Sequence, residues 1–286
     1  MKVVTWNIGR RTRPGHARFL EGLRADVVAL QEVSPGHVPL LRRDLAEIGL
    51  PHVIVGAEFG RRFPFQQMVA SRWPLDRRDA ATLDIPHRER ILVVVVHAPV
   101  GQVELVNVHV PAATSSGVAT KVATFEGLSR YLSQPADLPR IVCGDFNTPK
   151  SEAAGSVQYW GSAHQQRAER HAIEHAGGGT LPDVYRLLHG TEVRAESWRA
   201  RNGTGRRYDH VFASAELDAR EAGYADLDEV IGLGLSDHAP MRVVFGEVER
   251  LERPVPVPAR VDTVPDESAR ERPSSERPMN GGAGSS

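Results

Sequence analysis

The sequence predicts an α/β protein built around mixed β-sheet. Three observations carry that reading. Short runs rich in β-branched residues alternate along the chain with amphipathic helical stripes, the pattern of sheet covered by helices. Two of those runs, 90–98 and 103–110, are joined by the short "PVGQ" and read as an antiparallel hairpin, so the sheet is not purely parallel. Neither GxGxxG nor GxxxxGK-S/T follows a strand, which argues against the nucleotide-cradling folds.

In order, "KVVTW" (2–6) opens as a strand, and a helix over 15–24 uses Phe19, Leu20 and Leu23. "DVVAL" (26–30) is the next strand. Over 36–48, Val38, Leu41, Leu45 and Ile48 recur at helical spacing. "HVIV" (52–55), "QMVAS" (67–71), "RILVVVVHA" (90–98) and "VELVNVHV" (103–110) read as strands by length and composition. Val118, Val122, Phe125, Leu128 and Leu132 stripe a helix over 118–132, and "RIVCG" (140–144) follows as a strand. Residues 150–205 are the least patterned, with "HAGGGT" and "RARNGTGRR" expected as loops. "YDHVFA" (208–213) and "PMRVVF" (240–245) close the set. The helical stripes read as core packing.

At 286 residues the chain has room for one large α/β domain. From Arg250 onward it turns rich in Pro, Ser, Arg and Glu, so 250–286 is expected as a disordered tail and 1–249 as the folded unit. Hydrophobic content of 41% and charged content of 25% are ordinary for a soluble protein. A formal charge of -1 gives no general pull on polyanions, so a phosphate-rich substrate needs a local basic patch. The lone Cys143 excludes a disulfide framework and, in its apolar run, reads as a buried, inert thiol. No signal peptide or membrane span is expected. A cytoplasmic monomer is the default.

Polar residues recur where apolar strands stop. "IVCGDFNTP" runs buried residues into Asp145 and Asn147; "VVTW" ends in Asn7, "DVVALQ" in Glu32 and "VELVNV" in His109. Asp209 opens a strand, and Asp237 and His238 stand just before the last one. Singly, these have ordinary readings as turn residues, helix starts or caps. Together they suit phosphoester chemistry. A hard divalent ion takes oxygen ligands, which Glu32, Asp237 and Asn7 supply. Asp145 is a base or water-positioner with the Asn147 amide beside it, and Asp209 can orient His238 provided the last two strands are neighbours. His171 and His175, at helical spacing in "RHAIEH", read as solvent-exposed rather than as zinc ligands. Arg10, Arg11 and Arg13, like Arg61 and Arg62, either face substrate phosphate at the site mouth or solvate loops.

As a set, "TWNIG", "VALQEV", "ASRWPL", "NVHVP", "GDFNTP", "YDHVFAS" and "LSDHAP" resemble the motifs of the endonuclease/exonuclease/phosphatase superfamily. That group includes deoxyribonucleases, exonuclease III-like repair nucleases, sphingomyelinases and inositol-polyphosphate 5-phosphatases. The resemblance spans residues 2 to about 245 with gaps. It implies a four-layer α/β sandwich, two mixed sheets face to face with helices outside, and a Mg²⁺- or Mn²⁺-dependent phosphoesterase. Glu32 matches the principal metal-binding glutamate, with Asn7 in the metal or phosphate network and Asp237 the acid next to the metal. Asp145 and Asn147 match the water-positioning aspartate and the phosphate-binding asparagine. His238 matches the catalytic histidine, oriented by Asp209. His109 matches the histidine of the deoxyribonuclease, sphingomyelinase and 5-phosphatase branches, where repair nucleases carry tyrosine. Gly9 stands where many repair nucleases carry a further acid.

A phosphodiester substrate, nucleic acid first, is the expected partner. "DVYRLLHG" and "SWRARNGTGRRYDHVFAS" resemble the pre-catalytic region of repair nucleases. Two readings of Trp198 follow: a platform for a base with Arg199, Arg201, Arg206 and Arg207 neutralising phosphates, or a core residue beside a solvated basic loop. An abasic-site endonuclease is the narrower expectation; a small-molecule or lipid phosphoesterase is the alternative. A non-catalytic binding module is disfavoured by the intact polar set.

Overall fold

Side chains that alternate along each strand decide the layering. In a computed structural model of the chain, Val3, Val27 and Ala29 point into one apolar cluster while Val4, Val28 and Leu30 point into another. The structure describes residues 1–246 apart from 12, 14, 57–64, 80–82, 100, 113–116 and 154–155. The expected tail and the pair Arg61 and Arg62 lie outside the described residues.

In chain order the elements are β1 (Lys2–Asn7), α1 (Gly15–Leu23), β2 (Val27–Val33), α2 (Val38–Glu47), β3 (His52–Val55), β4 (Gln66–Ser71) and β5 (Leu75–Arg77). Then come β6 (Ile91–Ala98), β7 (Gly101–His109), α3 (Val118–Leu132), β8 (Arg140–Asp145), β9 (Ser151–Ala153), β10 (Ser156–Gln158), α4 (Ala163–Glu174) and α5 (Val184–His189). The last are β11 (Trp198–Arg199), β12 (Gly205–Arg206), β13 (Asp209–Ala213), β14 (Ala219–Tyr224), α6 (Leu227–Gly232) and β15 (Met241–Phe245).

A six-stranded sheet has the order β14-β15-β1-β2-β4-β3 and a five-stranded sheet the order β13-β8-β7-β6-β5. The expected hairpin is β6–β7, closing at Ala98 opposite Gly101. The sheets are mixed: β1 runs parallel to β2 and β7 to β8, while β15 is antiparallel to β1 and β13 to β8. Val3, Val27, Val69 and Val243 of the first sheet pack on Val94, Leu105, Ile141 and Val211 of the second. Outside the second sheet, Val106, Val142 and Phe212 pack with Phe125 and Leu128 of α3 and Ile173 of α4. Outside the first, Val4, Trp6 and Leu30 pack with Leu20, Leu41, Leu45 and Val230 from α1, α2 and α6. Helix, sheet, sheet, helix is the four-layer sandwich expected. Each large apolar side chain so buried contributes about 1.5–3 kcal/mol.

Two details bear on the site. Asn107 of β7 crosses between the sheets: its Nδ2 donates to the carbonyls of Leu30 (3.0 Å) and Met68 (3.1 Å), and its Oδ1 accepts from Gln31 Nε2 at 2.8 Å. Gly144 has φ 139°, and a Cβ there would lie 1.9 Å from the Val108 carbonyl oxygen. Only glycine lets β8 lie that close to β7 just before Asp145.

Candidate active site

Topology gathers the polar strand ends at one edge. Parallel β1 and β2, and parallel β7 and β8, finish there; β13 starts there and β15 is preceded there by Asp237 and His238, because both run antiparallel to their neighbours. Asp145 is the register partner of both His109 and Asp209.

Asp145 is the hub. Its Oδ1 accepts from the Asn147 backbone N–H at 2.8 Å, and its Oδ2 accepts from Asn7 Nδ2 at 2.9 Å and Asn147 Nδ2 at 3.2 Å. Asn147, at φ 51°, spends the other amide hydrogen on the Val110 carbonyl at 2.9 Å, so here it holds Asp145 rather than presenting a free donor. Burial raises the Asp145 carboxyl to about 7, opposed by the charge of His238.

His238 Nδ1 lies 2.8 Å from Asp209 Oδ2 and its Nε2 lies 3.9 Å from Asp145 Oδ2. Burial alone depresses an imidazole, but Asp209 and Asp145 outweigh it and raise His238 to about 10, so it is cationic at neutral pH. His109 is the opposite case. Burial, with Arg90 and His238 nearby, lowers it well below 6.5 and keeps it neutral. Its Nε2 sits 3.5 Å from Glu32 Oε1 and 3.8 Å from Asp145 Oδ2.

Glu32 adopts φ 58° at a register shift between β2 and β4, the kind of local strain that concentrates at functional sites. Its other oxygen pairs with Arg10 at 3.1 Å. Asp237 precedes His238 in the chain, and its Oδ2 accepts from Trp198 Nε1 at 3.1 Å. A Cβ on Gly9 would approach Asp237 Oδ1 to 3.2 Å at a positive φ, so an acid at that position would crowd Asp237. That gives the Gly9 departure a local physical reason.

Contacts that radiate from Asp145 link Asn7, Asn147, His109 and His238 directly, Glu32 through His109 and Asp209 through His238; Asp237 follows as the chain neighbour of His238. Three supports were not anticipated. Ser197 Oγ donates to Asp209 Oδ2 at 2.7 Å while accepting from the Asp209 N–H. Ser236 Oγ donates to the Asn7 backbone carbonyl at 2.6 Å, and fully buried Lys121 donates to the Asn147 carbonyl at 2.8 Å. Trp198 is half-buried and stacks on Tyr208 at 5.1 Å. Arg207 corrects one reading: it is buried against Glu152 and Asp183 and cannot meet a phosphate. Arg199 is likewise taken up by Glu196 and Asp228. His171 and His175 are exposed, and Cys143 is buried with its thiol pushed up to about 12 by burial.

Among the described residues, Asp145, Asp209 and His238 offer ligand atoms within 4.8 Å of one another. The His238–Asp209 hydrogen bond already engages Nδ1, which suits an acid–base couple better than a metal ligand set. The pattern of the Endonuclease/Exonuclease/phosphatase family matches residues 4–238. The chain belongs to this family.

The endonuclease/exonuclease/phosphatase fold is shared with solved structures. One is an AP endonuclease from Archaeoglobus fulgidus: 22% identity, 86% of this chain and 99% of that one, TM-score 0.68. Another is the 3′ phosphatase NExo from Neisseria bound to product DNA hairpin, at 20%, 86% and 99%, TM-score 0.66. A third is humanized TDP2 of D. rerio, at 17%, 86% and 98%, TM-score 0.61. A search of curated proteins finds no match. As a member of the endonuclease/exonuclease/phosphatase family, the protein is a hydrolytic phosphoesterase. Among the described residues no helix is long and apolar enough to cross a membrane.

Proposed function

We propose that the protein is a divalent-cation-dependent phosphodiesterase acting on nucleic acid. The observation that supports this best is the buried line Asp209–His238–Asp145, with separations of 2.8 and 3.9 Å. Asp209 keeps His238 charged and fixes its orientation, with Nε2–H toward the site, where it stabilises negative charge developing on a phosphoryl oxygen. Asp145, held by the amides of Asn7 and Asn147, orients the attacking water and takes its proton; its raised carboxyl suits that exchange near neutral pH. Glu32 and Asp237, with the Asn7 side-chain oxygen, would hold the cation; the all-oxygen donor set fits Mg²⁺ or Mn²⁺. When bound, such an ion neutralises charge on the phosphoryl group.

The similarity to DNA-processing structures supports nucleic acid as the substrate class. A second reading, a phosphatase of small or lipid phosphoesters, is favoured by His109, neutral and buried beside Glu32 and Asp145 where repair nucleases carry tyrosine. Hydrolysis of bis-p-nitrophenyl phosphate with Mg²⁺ or Mn²⁺ tests the common core. EDTA should abolish it, and Asp145→Asn should lower kcat by about 10³-fold, a loss within the range expected for general base catalysis. Turnover persisting in EDTA, or in the variant, would overturn the assignment. A panel of abasic duplex, plain DNA, RNA, phosphoinositides and sphingomyelin then separates the two substrate readings.

A further inference from the structure

Several cations around the site are already neutralised: Arg10 by Glu32, Arg186 by Glu152, Arg199 by Glu196 and Asp228, Arg207 by Glu152 and Asp183. Lys150 and Arg206 differ. Among the described residues, neither has a carboxylate within ion-pair distance. The Arg206 guanidinium carbon lies 5.1 Å from the Trp160 ring centroid, 5.7 Å from Trp198 and 6.0 Å from Tyr208. Its Nε donates to the Lys150 carbonyl at 2.9 Å, and Lys150 Nζ stands 5.8 Å from the Trp160 centroid. Arg206 is half-buried and Lys150 exposed. Three rings and one hydrogen bond thus hold a guanidinium in a fixed orientation, with a second ammonium sharing the Trp160 ring.

This cluster borders the catalytic residues. Tyr208 directly precedes Asp209, and its carbonyl accepts from the Phe146 N–H at 2.8 Å. Trp198 donates to Asp237, and Lys150 ends the segment that follows Asp145 and carries Asn147. We propose that Arg206 and Lys150, oriented by Trp160, form a subsite for a second phosphate of the substrate, distinct from the one being hydrolysed. The inference rests on the phosphodiesterase reading and narrows its substrate to one with phosphates on both sides of a nucleoside. Because Arg206 already stands against the indole rings, the subsite reads charge rather than a stacked base. It is also the local basic feature that a chain of net charge -1 needs to hold a polyanion.

The test measures binding without turnover. A fluorescein-labelled octathymidylate is titrated in EDTA across a range of salt, and thymidine 3′,5′-bisphosphate is used as competitor in a second arm. Arg206→Gln with Lys150→Gln should weaken strand binding about tenfold at low salt. It should also reduce the slope of log K against log salt by roughly 0.7 for each phosphate no longer neutralised. Lys150→Gln alone, an exposed change that leaves the core untouched, should give about half the slope change, and Arg206→Lys should restore most of it. Arg130→Gln, on the exposed face of α3, controls for net charge. An effect on the strand identifies an internal phosphate, and an effect on the bisphosphate alone a terminal one; either sustains the subsite. Wild-type affinity and slope in the double variant in both arms, or no salt-dependent binding by the wild type, overturns it. If binding responds but bis-p-nitrophenyl phosphate is not hydrolysed, the subsite stands and the catalytic reading falls.

Discussion

Asp209 does two jobs through one oxygen: Oδ2 accepts from Ser197 and faces His238 Nδ1 at 2.8 Å, while its Oδ1 is buried without a hydrogen-bond partner among the described residues. Asp209→Asn keeps the volume but removes the charge that holds His238 protonated. We expect kcat on bis-p-nitrophenyl phosphate to fall by about 10³–10⁴-fold, the loss seen when a buried carboxylate behind a catalytic histidine is made neutral. Circular dichroism should show an unchanged fold, and a variant with near wild-type kcat would remove Asp209 from the mechanism. Residues of this kind were legible in the sequence because a period-two apolar run that ends in Asp, Asn, Glu or His leaves a polar group on a rigid strand end. Ser197 was not legible. It lies in irregular chain, and its partners Asp209 and Tyr208 are found only once β13 is placed beside β8. The contrast between Arg206 and Arg207 was hidden for a similar reason: adjacent arginines look alike until Glu152 and Asp183 are seen to claim only the second.

At the scale of elements, the long strands and the helices with a full apolar stripe were readable, and the short pieces were not. β5 and α5 span Leu75–Arg77 and Val184–His189, too few residues to show a period, and α5 starts on its Asp183 cap more than on any stripe. β14 is half-exposed at a sheet edge, so its alternation carries little apolar signal. Nor did the sequence announce that Asn107, inside a strand of valines, ties the two sheets together. Removing it leaves the carbonyls of Leu30 and Met68 without that donor in the interior, while Gln31 Nε2 keeps Thr5 Oγ1 and the Ala29 carbonyl as acceptors. Asn107→Ala should therefore cost about 2–3 kcal/mol in urea unfolding, the scale of two buried carbonyls that lose a donor. Gln31 immediately precedes Glu32, so the same variant should also lower kcat more than it changes KM. A stability loss below about 0.5 kcal/mol would mean that the apolar sandwich alone sets the registry of the sheets.

For the whole molecule, a net charge of -1 conceals strong local pairing, and one buried instance gathers Asp183, Glu152, Arg186, Arg207 and His210. Asp183 Oδ2 stands 2.8 Å from Arg207 and 3.0 Å from His210, and Glu152 accepts from both Arg207 and Arg186. Burial works against these carboxylates, but Arg207 and His210 outweigh it, and both Asp183 and Glu152 are held below their ordinary values. Folded values below the unfolded ones, about 3.9 for Asp and 4.3 for Glu, fix the sign: the stabilisation is fully present above those unfolded values. It is lost as pH falls through them toward the folded values. In urea unfolding these two carboxylates should accordingly contribute a loss of stability that becomes steep below about pH 4. Asp183→Asn retains the cap on α5, since asparagine accepts the same backbone N–H groups, yet leaves Arg207 in the interior with Glu152 as its remaining carboxylate among the described residues. It should lower stability at pH 7 by about 1.5–3 kcal/mol, the scale of a lost hydrogen bond between charged groups, because Glu152 still pairs with Arg207. Its decline below about pH 4 should be shallower, because one of the depressed groups no longer titrates. Wild-type stability at neutral pH with an unaltered acid limb would show that Glu152 alone compensates Arg207.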